Sequence, residues 1–245
     1  FSTISERLAD TFGDREALVN IERNRRYTFT EYHLLTNRIV NMMREKLDLH
    51  RGDFWLNIVD NDNASLLHFF TAMKGEATAC YANYRDSLED HTYQVDTVDA
   101  KVVFLEADLL SSHYQMLRSR QVTIVSMDPP GPEYPGVHDF WTLLEGVTDN
   151  NPAIVNDDRT DLVIMRFTGG TTGRGKCAMY SADNWLMCRD SFYALPDPAW
   201  SPDSRFLHMA PITHGSGMLV LPTLFKGGCT VTMNAPDLKA WCENI

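Results

Sequence analysis

Between Phe54 and Ser126 short apolar runs alternate with helical runs, and few folds accept that order. Phe54–Val59 reads as a strand, and Ala64–Lys74 as a helix closed by Gly75. Thr78–Tyr81 reads as a strand, followed by a helix from Ser87 to Val95 with Ser87 and Asp90 at capping-box spacing. Lys101–Leu105, Leu109–Ser119 and Val122–Ser126 continue as strand, helix and strand. Strands separated by helices cannot pair as hairpins, so each crossover carries the chain to a parallel neighbour. The rhythm therefore predicts an α/β fold: a mostly parallel sheet, or sheets, flanked by helices on both faces.

The rest of the chain is read in the same way. Ile4, Leu8 and Phe12 recur every four residues and Gly13 follows, which predicts a short amphipathic helix. Two short strands follow at Ala17–Val19 and Arg26–Phe29. Thr30 is placed as the cap of a longer helix carrying Tyr32, Leu35, Ile39, Met42 and Leu47. Residues 1–53 thus form opening strands and helices before the alternating region 54–245. Met127–Gly136 is proline-rich and reads as loop. The polar stretch Thr148–Asp161 leads into a strand at Leu162–Phe167. A helix at Asp183–Tyr193, strands at Arg205–Met209 and Cys229–Met233, and a last helix at Pro236–Asn244 complete the expectation.

Composition excludes several classes. The chain has 245 residues, 44% of them hydrophobic, enough for a core. The longest apolar run, Gly217–Phe225, holds Pro222 and is far short of the roughly 18 residues of a membrane span. A net charge of −11 argues against a nucleic-acid partner, which needs a basic surface, but not against a nucleotide, which needs one local anion site. The five cysteines (Cys80, Cys177, Cys188, Cys229, Cys242) are odd in number and form no CxxC pair. They read as reduced thiols of a cytoplasmic protein, not as a disulfide frame or a metal site.

The chemistry concentrates in Thr168–Lys176, which follows the strand 162–167 directly. Counting from Phe167, four glycines, three threonines and one lysine share ten positions. Glycines let successive N–H groups turn inward as an anion nest, hydroxyls add donors, and Lys176 adds a charge suited to phosphate. Gly170 to Lys176 also fits the start of a Walker loop. That reading needs Ser or Thr at 177 and a helix opening at the lysine. Cys177 stands there instead, Cys177–Tyr180 is strand-like, and the next helix cap comes near Ser181–Asp183. Arg166 and Arg174 flank the loop and could touch phosphate, but each reads first as a solvated charge. His214 stands apart from the other seven histidines because it follows Pro211 and precedes Gly215, Ser216 and Gly217, small residues that leave room beside an imidazole.

These motifs resemble the adenylate-forming (AMP-binding) superfamily: acyl- and aryl-CoA ligases, luciferases and the adenylation domains of peptide synthetases. Its loop has the form T-S-G-T-T-G-x-P-K-G. Thr168, Gly170, Thr171, Thr172, Gly173 and Lys176 match, while Gly169 stands for Ser, Gly175 for Pro and Cys177 for Gly. Tyr27–Glu31, Arg51–Asp53, Ala72–Asn83, Ala210–His214 and Gly227–Gly228 resemble further family elements in the family's order. The resemblance implies an acyl-CoA synthetase of the kind used in fatty acid metabolism. Such an AMP-forming acid–CoA ligase takes ATP with Mg²⁺, a carboxylic acid and CoA. Thr168, Gly169, Gly170, Thr171, Thr172, Gly173 and Lys176 would hold the β- and γ-phosphates, and His214 and Gly215 would border the acyl-substrate channel. It also implies that 1–245 is the front part of a longer AMP-binding domain, without the C-terminal lid. No catalytic residue and no metal ligand is assigned within it. Alone, such a piece is expected to be inactive and to self-associate. The rival readings are a P-loop NTPase or kinase, and a non-catalytic relative that keeps the fold.

Overall fold

The computed structural model describes residues 1–154, 158–169, 174–195, 200–234 and 237–243, the side chains of 240, 241 and 243 excepted. Helix α1 (Ser2–Phe12) packs Ile4, Leu8 and Phe12 against the core and ends at Gly13, whose N–H bonds the Ala9 carbonyl. Strands β1 (Glu16–Asn20) and β2 (Arg25–Thr28) then pair antiparallel. The cap of α2 (Phe29–Glu45) is Thr28, not Thr30. The Thr28 hydroxyl accepts from the Glu31 N–H and the Glu31 carboxylate accepts from the Thr28 N–H. Phe29, placed by sequence at the end of the strand, is instead the first helical residue and is buried.

The alternation then runs as expected. Strand β3 is Phe54–Ile58, β4 Thr78–Tyr81, α5 Leu88–Val98, β5 Val102–Leu105, α6 Leu110–Ser119 and β6 Thr123–Ser126. The helix between β3 and β4 departs from expectation. It splits into α3 (Asn61–Leu67) and α4 (Phe70–Lys74), broken at His68 and Phe69. Phe69 sits at φ 44°, its N–H donates to the His68 Nδ1 at 2.8 Å, and the two rings stack at 3.8 Å. A straight helix would point these neighbouring rings about 100° apart; the break lets both be buried.

Two elements unseen in the sequence follow, β7 (His138–Asp139) and α7 (Phe140–Leu144). Then come β8 (Leu162–Phe167), β9 (Cys177–Ser181), α8 (Ala182–Tyr193) and β10 (Arg205–His208). Where sequence shows only an apolar run, a 3₁₀ turn (Gly215–Leu219) leads into α9 (Val220–Phe225). Strand β11 (Cys229–Thr232) and α10 (Leu238–Glu243) end the described chain.

The strands form two sheets. One has the order β7-β6-β5-β3-β4-β8-β9, parallel except for the β8–β9 pair. The other has the order β10-β11-β1-β2, in which only β1–β2 is antiparallel. Trp55, Ala79, Phe104 and Ile164 face one apolar cluster, while Leu56, Cys80, Val103 and Leu105 face another. Successive residues therefore bury on opposite faces, which is why β3, β4 and β5 read as unbroken apolar runs. The chain goes from β3 to β4 on one side and then back to β5 on the other. That reversal opens a crevice beyond the carboxyl ends of β3 and β4, where ligands of open α/β sheets gather. Among the described residues no helix is long and apolar enough to cross a membrane. All five cysteines are free.

Candidate functional site

Strand β8 carries the chain into the glycine-rich loop, and two hydrogen bonds close the loop's base. The Thr168 N–H donates to the Lys176 carbonyl at 2.8 Å, and the Lys176 N–H donates to Thr168 Oγ1 at 3.1 Å. These extend the β8–β9 ladder by one step. A Cβ on Gly175 would lie 2.2 Å from the Thr168 carbonyl oxygen, so the clasp closes only around glycine. Thr168, Gly169 and Lys176 are exposed. Gly170, Thr171, Thr172 and Gly173 lie outside the described residues. Lys176 leads into a strand, so the helix that a Walker lysine opens is not there. Burial pushes the Cys177 thiol up to about 11, which leaves it protonated near neutral pH.

The flanking arginines part company. Arg174 lies 3.4 Å from Glu89 and over the Tyr93 ring, with its side chain largely in solvent, as the sequence suggests. Arg166 does not: it is 4% exposed. Its Nη2 donates to the Ile212 carbonyl at 3.2 Å, and its guanidinium lies 4.6 Å above the Trp185 ring. Burial lowers it to about 10, so it remains charged at neutral pH. His68 shares the same carbonyl. Its Nδ1 accepts from the Phe69 N–H, so the ring proton sits on Nε2 and donates to Ile212 at 3.0 Å. Burial, and then the charge of Arg166, hold this imidazole neutral.

Ile212 begins the turn that carries His214. Its N–H donates to Asn61 Oδ1 at 3.0 Å, and the Asn61 amide reaches back to the Ala210 and Met233 carbonyls at 3.1 and 2.8 Å. The His214 N–H bonds the Pro211 carbonyl, and the imidazole is exposed where the 3₁₀ turn begins. A Cβ on Gly215 would meet nothing within 4 Å. A Cβ on Gly217 would lie 2.0 Å from the Ile212 carbonyl oxygen and 2.9 Å from Arg166 Nη2. Ser216 Oγ lies 2.8 Å from Nδ1 of the buried His208. Arg166 stands two residues before Thr168, and Ile212 two before His214. The base of the loop and the His214 turn are therefore tied to the same end of β8.

Beside them lies a polar crevice that the sequence reading missed, lined by Asp60, Asn61, Asn83, Arg85, Thr213 and Asn234. Behind it, Arg23 gathers carboxylates from three other segments: Asp60 at 2.6 Å and Asp62 at 3.8 Å, Glu106 at 3.1 Å, and Asp128 at 3.6 Å. Asn63 donates to Glu106, and the Thr232 hydroxyl donates to Asp62. Burial pushes Asp62 up to about 6, and burial beside Asp60 raises Glu106 as well. Among the described residues no group of three or more His, Cys, Asp or Glu side chains has a metal-holding arrangement.

The sequence profile of the AMP-binding enzyme family matches residues 5–245. Acyl-CoA synthetase 7 of Caenorhabditis elegans is 25% identical over 166 residues, which cover 62% of this chain and 30% of that protein. Feruloyl-CoA synthase of an Amycolatopsis species is 33% identical over 91 residues, 36% of this chain and 18% of that protein. The inhibitor-bound N-terminal domain of FACL13 from Mycobacterium tuberculosis superposes with a TM-score of 0.83 at 20% identity. That match covers 98% of this chain and 59% of that one, and it shows a shared fold. The matches thus span less than two thirds of each of these proteins.

Proposed function

The chain belongs to the AMP-binding enzyme family, and from that premise we propose that it is the nucleotide-gripping part of an acid–CoA ligase. In this reading a carboxylate oxygen attacks the α-phosphorus of ATP and pyrophosphate leaves. The CoA thiol, giving up its proton, then attacks the acyl carbonyl of the mixed anhydride, and AMP leaves with the bonding electrons.

The observation that carries the reading is the clasp between Thr168 and Lys176, which closes the base of a glycine-rich loop and sets an exposed lysine there, at the carboxyl end of a parallel sheet. Thr168, Gly169, Gly170, Thr171, Thr172, Gly173 and Lys176 hold the β- and γ-phosphates. Donors fixed in advance at the leaving pyrophosphate stabilise its charge as the bond breaks. His214 and Gly215 border the channel of the acid, and the open space beside Gly215 accommodates it. The described part of the loop offers donors and a cation, not carboxylates. Mg²⁺ therefore belongs to this reading as the counter-ion that arrives with ATP. The enzyme is placed in the cytoplasm, and residues 1–245 alone are proposed to be inactive and to self-associate.

ATP–pyrophosphate exchange on the whole protein, with fatty, aryl and small acids, tests the reading. Acid-dependent return of labelled pyrophosphate into ATP is the expected result. ATP hydrolysis without exchange would replace the ligase with an NTPase. ATP binding with neither reaction would point to a non-catalytic relative.

A further inference from the structure

We propose that Arg166 is a positioning residue that couples the two halves of this site, so that nucleotide held by the Thr168–Lys176 loop tightens binding of the acid beside His214. The inference rests on the ligase reading above.

A buried guanidinium is costly to desolvate unless an anion pairs with it. Among the described residues no carboxylate forms an ion pair with Arg166; the titratable groups beside it are His68, Tyr81, Tyr180 and Cys188. Its Nε has no hydrogen-bond partner, although it is buried. An apolar side chain in the same hole would avoid both costs, so core packing alone does not account for this residue. What Arg166 does make is specific: its Nη2 donates to the Ile212 carbonyl and lies 3.0 Å from His68 Nε2, under a stack on Trp185. That bond depends on Gly217, because any Cβ there would strike both the carbonyl and the guanidinium.

The geometry forms a lever. Ile212 is gripped at its N–H by Asn61 and at its carbonyl by His68 and Arg166. The first two grips come from α3 and from the break that follows it. Only Arg166 comes from β8, and two residues on, Thr168 bonds Lys176 at the base of the loop. A change at Thr168 when Lys176 takes up phosphate reaches the peptide next to the His214 turn through one buried, planar side chain. Coupling between two sites in one protein is reciprocal. The nucleotide should therefore strengthen acid binding, and the acid should strengthen nucleotide binding by the same factor.

The test uses the whole protein, α,β-methylene-ATP, and the acid most active in the exchange panel. Acid affinity is measured without nucleotide and at saturation, in wild type, Arg166→Lys and Arg166→Met. Wild type should gain about fivefold or more in acid affinity, within the usual range of such couplings. In Arg166→Met that factor should fall to about one, and Arg166→Lys should keep part of it. A merely structural role would lower the melting temperature and shift both affinities while leaving their ratio unchanged. If Arg166→Met does not fold, Arg166→Lys carries the test through its reduced ratio. An undiminished ratio in the folded variants, or no coupling in wild type, overturns the inference. Absence of acid-dependent exchange in wild type removes the ligase reading itself, which is a different result.

Discussion

Replacing Arg23 by Met should destabilise the protein, and by more at pH 8 than at pH 5. Arg23 is the cation between Asp60, Glu106 and Asp62, whose side chains are between 0% and 13% exposed. Removing one partner of a buried ion pair leaves an uncompensated charge and typically costs about 3–5 kcal/mol. That cost applies only while the carboxylates are ionised. The folded-state value of Asp62 is raised from the usual 3.8 to about 6. The native state therefore holds a proton through a window in which the unfolded chain has released it. Stability from this group is full below about pH 4 and falls as pH rises toward 6. At 1.36 kcal/mol per tenfold change the loss is about 3 kcal/mol, and Glu106 adds to it in the same direction. At pH 5 Asp62 already holds its proton in the folded protein and Glu106 is raised in the same direction, so loss of Arg23 strands less negative charge there than at pH 8. Urea unfolding of wild type and Arg23→Met at pH 5, 6.5 and 8 measures this. The difference between the two proteins isolates the cluster from groups shifted the other way, such as the buried His208, held near 3. A loss that is equal at all three pH values would refute the argument.

Three further outcomes are expected. In Lys176→Ala, affinity for ATP or pyrophosphate should fall about ten- to hundredfold, the worth of a charge-assisted hydrogen bond of roughly 1.5–3 kcal/mol; calorimetric titration that finds no change removes Lys176 from the site. His214→Ala should alter the ranking of acids in the exchange assay more than it alters the KM for ATP, and the reverse pattern places His214 elsewhere. Thr28→Ala removes the hydroxyl that caps α2 and should cost about 1 kcal/mol, read as a lower urea midpoint; an unchanged midpoint means the cap contributes nothing net.

What the sequence showed and what it hid divides along the distance between the residues that make each feature. Strands β4 and β8 were legible to the residue because turn formers or polar runs bound short apolar stretches. The cap of α8 was legible only as lying near Ser181–Asp183; the structure places it at Ser181, whose hydroxyl accepts from the Asn184 N–H. The connection between β8 and β9 was legible because its glycines and threonines are close in sequence, so its composition shows locally. Strand β7 has two residues and can show no periodicity. Helix α9 was masked by Pro222, which is tolerated in a first turn because the N–H groups there lack helical partners in any case. The partner of β1 lies more than two hundred residues away at β11, and nothing local announces it.

The same rule explains the misreading of Arg166. Exposure is not a property of a residue and its neighbours in sequence; it is set by what the fold lays over that face. In a strand, side chains alternate, so Arg166 faces away from Met165 and Phe167 and toward whatever covers the other side. Here that cover is Trp185 from α8 and the turn at Ile212–Gly217, contributed from 19 and 46–51 positions downstream. The Arg23 cluster is more dispersed still, because residues 23, 60, 62 and 106 meet only where the strand order reverses. Local composition can therefore mark a glycine-rich loop. How that loop is tied to the His214 turn is written in the sheet order, and only the folded chain displays it.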